Sequence, residues 1–181
     1  VTPLNTPTRR PAMLDGERAV GVSTGDYHSR ALTANGLVWS WGSGGGGRLG
    51  HGNHQNQLLP EKVEAFVGQP VVAVSAGGSH SLALTADGAV WSWGFGYQGK
   101  LGHGDQQNQL LPKKIEAFVG PRVVAVSAGE RHSLALTADG AVWSWGGGNF
   151  ASRATATSRT SCCRRRSRPL PSRALSRWRV A

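Results

Sequence analysis

The stretch VVAVSAGGSHSLALTADGAVWSWG, Val71 to Gly94, returns fifty-two residues later as VVAVSAGERHSLALTADGAVWSWG, Val123 to Gly146. The two copies differ only at Gly78/Glu130 and Ser79/Arg131. A weaker copy, AVGVSTGDYHSRALTANGLVWSWG, lies one period earlier at Ala19 to Gly42. The intervening segment repeats as well: GRLGHGNHQNQLLPEKVEAFVG (47–68) recurs as GKLGHGDQQNQLLPKKIEAFVG (99–120). Self-similarity at a fixed period of this length marks a repeat architecture, and it takes precedence over any local reading.

Within one period the pattern is that of short strands separated by turns. Val71–Ala76 is a run of small apolar residues, suited to a crowded strand. Ser81–Thr85 alternates, with Leu82 and Leu84 on one face. Ala86-Asp87-Gly88 reads as a hairpin turn, Asp-Gly supplying the positive φ of a tight primed turn. Ala89–Trp93 follows, with Ala89, Trp91 and Trp93 on one face, and then a glycine-rich loop, 94–104. Pro112–Phe118 is the expected fourth, outer strand. No window carries a helical stripe. Several strands in each period of 40–50 residues predict propeller blades, small sheets that must stack on one another to bury both faces. The pairs Trp39/Trp41, Trp91/Trp93 and Trp143/Trp145 are the large apolar groups available for that stacking.

The segment SAGGSHSLALTADGAVWSWGFGYQGKLGHG resembles the repeat of the regulator of chromosome condensation family, the RCC1-like propellers. The likeness rests on A-G-x-x-H-S, the L-T-x-D-G turn, the W-G pair and the L-G-H-G loop, in that order, over roughly residues 19–150. It implies blades arranged in a ring of seven. Fewer than three complete periods are present, so the expectation is an all-β, partial RCC1-like propeller of four-stranded blades, a fragment of a longer chain. Its divisions are a partial N-terminal repeat end at 1–18, repeats at 19–70, 71–122 and 123–150, and a tail at 151–181.

The formal net charge of +10 invites a nucleic-acid or membrane reading until the charges are located. Residues 151–181 hold nine Arg and no acid, whereas residues 1–150 hold 11 Lys and Arg against 10 Asp and Glu. The repeats themselves are therefore nearly neutral. They also lack cysteine, since both cysteines, Cys162 and Cys163, lie in the tail. No apolar run is long enough to span a bilayer as a helix.

Candidate chemistry is sparse. Gly94–Leu101, GFGYQGKL, matches two phosphate-loop patterns, but Leu101 stands where Ser or Thr is needed and no helix start follows. His28, His80 and His132 recur once per period; blade repetition spreads them apart, which favours structural, hydrogen-bonded histidines over metal ligands. His51 and His54 form an H-x-x-H that the next copy loses at Gln106. Ser81 and Ser133 directly follow histidines, so their side chains point to opposite faces and form no catalytic pair within a strand. Some RCC1-like propellers are ultraviolet sensors with a G-W-R-H-T motif. Here the residue before each repeat histidine is Tyr27, Ser79 or Arg131, and core packing is the better reading of the indoles.

The tail departs abruptly from the period. Residues 151–170 should resemble 99–118 and instead read ASRATATSRTSCCRRRSRPL. The two are related by a one-base shift of reading frame. Leu-Leu-Pro-Lys-Lys-Ile-Glu, encoded CTG-CTG-CCG-AAG-AAG-ATC-GAG, becomes TGC-TGC-CGA-AGA-AGA-TCG-AGG, which is Cys162 to Arg168. Nineteen of the twenty positions fit, with Arg153 the exception. The expectation is a fourth repeat read out of frame and disordered, rather than a thiol site or a designed basic arm.

The resulting functional expectation is a non-catalytic protein-interaction module with no cofactor and no metal. Its partners are proteins, its compartment cytoplasmic or nuclear. There is no membrane partner, and nucleic acid is reached only through the basic tail. Family resemblance adds two alternatives, guanine-nucleotide exchange on a small GTPase and a substrate-binding propeller of a large ubiquitin ligase. Expected contact loops carry Arg48, His51, Lys100, His103 and Asp105; expected structural positions are His28, His80, His132, Trp41, Trp93 and Trp145.

Overall fold

The computed structural model describes residues 14–118, 120 and 122–147. The expectations for the tail at 151–181 and for most of the segment 1–18 lie outside the described residues. Three antiparallel sheets follow one another along the chain. The first holds β1 (Ala19–Thr24), β2 (His28–Thr33), β3 (Val38–Gly42) and β4 (Gln57–Lys62). The second holds β5 (Val71–Ala76), β6 (His80–Thr85), β7 (Val90–Gly94) and β8 (Gln109–Lys114). The third holds β9 (Val123–Ala128), β10 (His132–Thr137) and β11 (Val142–Gly146). In the first two sheets the strands lie side by side in chain order, and in the third β10 is central. The first strand of each sheet packs against the first strand of the next, which makes it the innermost strand of a blade.

Two sequence expectations are corrected. The turn at Ala86–Gly88 is not a two-residue primed turn. The Gly88 N–H donates to Thr85 O (2.9 Å) and the Thr85 N–H to Ala89 O (3.0 Å), and Gly88 alone has positive φ, +85°. This is a three-residue hairpin closed by a glycine in the left-handed region. Asp87 fixes it: its Oδ1 accepts from the Thr85 hydroxyl (2.6 Å) and the Ala89 N–H (3.2 Å). The fourth strand also starts and stops earlier than Pro112–Phe118. β8 pairs with β7 through Gln109, Lys113 and Lys114, with an irregularity between, and Glu116–Phe118 turns away as a short 3-10 segment. Pro112 is tolerated because β8 is an edge strand that needs no ladder bond there.

The core lies between the sheets. Leu32, Val38, Val63 and Phe66 of the first blade meet Val71, Ala83 and Trp93 of the second. One period on, Leu82, Leu84, Val90, Ile115 and Phe118 meet Val123, Ala135 and Trp145. Phe66 is the plug of the first joint. Its ring lies 5.8 Å from that of Trp91, edge to face, and 5.6 Å from that of Trp93. Phe118 repeats this against Trp143 (5.4 Å) and Trp145 (5.6 Å). Such pairs add about 0.5–1.5 kcal/mol each to the burial of their area. The innermost strands are also tied: the Ala76 N–H donates to Ser23 Oγ and the Ala128 N–H to Ser75 Oγ, both at 2.9 Å.

Candidate protein-interaction rim

Antiparallel order puts two kinds of loop at the same end of each blade: the loop joining the first and second strands, and the glycine-rich loop leaving the third. The Ser43 N–H donates to Tyr27 O (2.8 Å) and the Phe95 N–H to Ser79 O (3.1 Å), which binds the two loops into one rim. The glycine-rich loop makes a tight turn broken by left-handed residues, Gly46 (φ +67°) within Gly45–Gly47 of the first blade and Gln98 (φ +62°) within Tyr97–Gly99 of the second. No α-helix stands behind Gly94–Leu101 among the described residues, so the backbone there offers no helix N-terminus to a phosphate.

The repeat histidines sit just beneath this rim, in the joints. His80 Nε2 lies 2.8 Å from Ser133 Oγ of the next blade, and that hydroxyl donates to Lys100 O (2.9 Å). The single hydroxyl proton is thereby committed, so His80 donates from Nε2. Burial, and then the Lys100 charge, lowers its pKa to about 3. Gly77 makes room for the imidazole: a Cβ at that position would lie 2.4 Å from His80 Cε1 and 2.5 Å from Gly129 O. His28 occupies the equivalent place in the first joint, lowered to about 2 by burial and then by Arg30. There Ser81 Oγ donates to Arg48 O (2.9 Å), and neither ring nitrogen of His28 has a hydrogen-bond partner. His132 is half-buried at the same position in the third blade. The Ser–His pairing that neighbouring positions deny within a strand is thus made across blades. It joins two sheets, with no room for a substrate beside the fully buried Ser133.

His51 and His103 lie under the rim loops. His51 Nε2 donates to Ser40 Oγ (2.9 Å), whose proton goes to Leu49 O (2.8 Å). His103, Ser92 and Leu101 repeat the arrangement at 2.9 and 2.6 Å. Burial lowers both histidine pKa values, the nearby Glu61 partly opposing this for His51. Asp105 is half-buried and accepts from the Gln107 N–H (2.9 Å), closing its own turn. Trp93 and Trp145 are buried in the joints, and Trp41 is half-buried on the flank of the first blade.

Arg48 and Lys100 sit at equivalent places, only 8% and 6% exposed. Arg48 Nε donates to Gly45 O (2.8 Å), its guanidinium carbon lies 5.4 Å from the Tyr27 ring and 5.7 Å from the Phe95 ring, and its Nη1 has no hydrogen-bond partner. Tyr27 is exposed beside it, Tyr97 is exposed on the loop that carries Phe95, and Arg131 pairs with Glu130 (2.9 Å) on the same rim. The sequence does not show this aromatic and basic cluster as a unit, because its members come from loops of two blades. On the opposite face two open hollows of about 310 Å³ share Asp87, one of them flanked by Lys114 and Arg122. Among the described residues no three His, Cys, Asp or Glu side chains come together as metal ligands would.

Sheets of this form, stacked by indoles and joined one period apart, define a β-propeller repeat protein. The model of the regulator of chromosome condensation (RCC1) repeat matches residues 35–84 and 87–136, and a second model of that repeat matches 19–48, 71–100 and 123–151. The chain belongs to the RCC1 repeat family. It is 45% identical over 135 residues to the human E3 ubiquitin-protein ligase HERC2, covering 74% of this chain and 3% of that protein. It is 43% identical over 138 residues to the ultraviolet-B receptor UVR8 of Arabidopsis thaliana, covering 76% and 31%. Among solved structures it is similar to Prp20p of Saccharomyces cerevisiae, studied for its binding to Gsp1p and histones, at 30% identity and a TM-score of 0.60, covering 71% and 32%. The chain thus spans a third or less of these relatives, and its match to HERC2 lies within the repeats.

Proposed function

We propose that the chain is a non-catalytic protein-interaction module that binds partners through the loop rim. The observation that carries this reading is the cluster of Tyr27, Arg48 and Phe95, contributed by loops of two blades and held by a rigid sheet beneath, with Tyr97 and Lys100 on the same glycine-rich loop as Phe95. Tyr and Arg dominate binding energy at protein interfaces, and a guanidinium already held near two rings loses little freedom on contact. The half-buried, hydrogen-bonded His51 and His103 serve the same surface by holding the loop backbone in place. Asp105, half-buried, adds a carboxylate at the edge of the rim.

The test is site-specific photo-crosslinking from position 97 on the rim and from position 87 on the opposite face. Adducts from 97 and none from 87 support the reading, and adducts from 87 alone reject it. A second reading, guanine-nucleotide exchange on a small GTPase, draws support from the likeness to Prp20p and its binding to Gsp1p. Nucleotide release that this chain accelerates, and that Arg48→Ala slows, favours the second reading; unchanged release favours the first. A third reading, the substrate-binding propeller of a large ubiquitin ligase, follows from the likeness to HERC2 and makes the same rim the substrate-binding face.

A further inference from the structure

The joint between the first and second blades carries charge that the joint between the second and third does without. His28 and Arg30 stand two residues apart on β2, so both side chains face the second blade. One period on, the same places hold His80 and Leu82. Arg30 is completely buried, and His28 and Arg48 are more than nine-tenths buried. Four of their nitrogens are buried without a hydrogen-bond partner: Nδ1 and Nε2 of His28, Nε of Arg30 and Nη1 of Arg48. The later joint is better satisfied, since His80 Nε2 reaches Ser133 Oγ.

The three side chains belong to one neighbourhood. Arg30 Nη2 donates to Arg48 O (2.9 Å) and its Nη1 to Ser75 O (3.4 Å). Ser81 Oγ donates to the same Arg48 O (2.9 Å), so its proton is spoken for. After burial, the charges of Arg30 and then Arg48 are what hold the His28 pKa down. Neither arginine forms an ion pair among the described residues. Asp26, exposed on the rim, bears on Arg48 but not on His28 or Arg30. Stacking of blades does not require such a charge, because Leu82 fills the place of Arg30 in the later joint.

We infer that this first joint binds a small monovalent anion, a halide, between His28, Arg30 and Arg48. Two guanidinium N–H groups and the one N–H of a neutral imidazole offer donors and charge together. Every unpartnered group on the arginines is a donor, which suits an ion that brings only acceptor capacity. Burial on all sides favours a single charge of small volume over a sulfate or phosphate, whose desolvation is costlier. The ion enters from the rim, where Arg48 stands beside the exposed Tyr27. Once seated it supplies the missing counter-charge and clamps the first blade to the second, stabilising the folded chain by mass action.

The broadening of the chloride NMR line by the whole chain, wild type against Arg30→Leu, reads this directly. Basic residues elsewhere act equally in both chains, so the difference between them belongs to the joint. The expected result is an extra broadening by the wild type that saturates with chloride, that bromide competes away, and that Arg30→Leu and His28→Phe both lose. Urea unfolding at constant ionic strength gives a second readout: replacing gluconate by chloride raises the wild-type midpoint relative to that of Arg30→Leu. Near-UV circular dichroism of the indoles reports whether each variant is folded. Arg30→Leu takes the residue that the later repeats use, and if it alone fails to fold, His28→Phe decides by the same two readouts. Equal broadening by wild type and a folded variant, or midpoints that move together, overturns the inference. Sulfate competing as well as bromide overturns it too, since that marks an open basic surface rather than a closed joint.

Discussion

Arg30 stands in the column that Leu82 and Leu134 occupy in the later repeats, and it is fully buried in the first joint. Its Nη2 donates to Arg48 O (2.9 Å), its guanidinium carbon lies 4.6 Å from the Trp93 ring, and its Nε has no hydrogen-bond partner. Burial alone lowers its pKa to about 9, with no carboxylate contributing. A buried charge without a counter-charge costs several kcal/mol, of which the contact with the indole offsets about 2. Replacing it with the residue that its own repeats use, Arg30→Leu, should raise the free energy of unfolding by about 1–3 kcal/mol, seen as a higher urea midpoint at unchanged slope. The buried histidines set a pH dependence of opposite consequence. Below pH 6.5 the unfolded chain protonates His28 and His80, while the folded chain, with values near 2 and 3, does not. Stability is full above 6.5 and declines as pH falls, by about 1.4 kcal/mol per unit for each histidine, until the folded values are approached. Urea melts at pH 7.5 and 5.0 should differ by up to about 4 kcal/mol, and His28→Phe/His80→Phe should remove most of that difference.

At the scale of the strand and turn, the joint is the functional element. Phe66 contacts both indoles of the next blade, so the energies of Phe66 and Trp93 should couple. Each change to Ala should cost about 3–5 kcal/mol, and the double-mutant cycle should return a coupling of about 1 kcal/mol or more. A coupling near zero would mean that the two rings contribute only as independent buried area. Much of this level was legible beforehand. The bounds of β5 are plain in the sequence, because a run of small apolar residues between turn signals admits few other readings. The indole pairs were recognised as inter-blade material, because nothing else in a period is large enough. The role of Phe66 and Phe118 is not legible in the sequence: at the ends of Val-Glu-Ala-Phe and Ile-Glu-Ala-Phe they read as strand, and period-two alternation says nothing about which blade a side chain meets. The turn type was missed for a related reason, since Asp-Gly serves both a primed turn and a glycine-closed three-residue one, and only the hydrogen bonds of Thr85 separate them. Arg30 could have been found from sequence by setting the repeats in columns. The rim cluster could not, because Tyr27, Arg48 and Phe95 belong to three loops that meet only once the blades are stacked.

For the whole molecule, order of protection follows from stacking. The second blade is covered on both sides, so amides of β6 and β7 should exchange slowest, and those of β10 should exchange faster despite an identical sequence. Equal rates in β6 and β10 would show that the three blades open as one unit. The spacing of the joints has a genetic consequence too. Ser23 with Ala76, Ser75 with Ala128 and His80 with Ser133 are all 53 residues apart. Partners one unit away never need a distant segment of chain. Unequal crossing-over that inserts or removes a single unit therefore leaves each surviving contact with a proper mate, and copy number is free to drift.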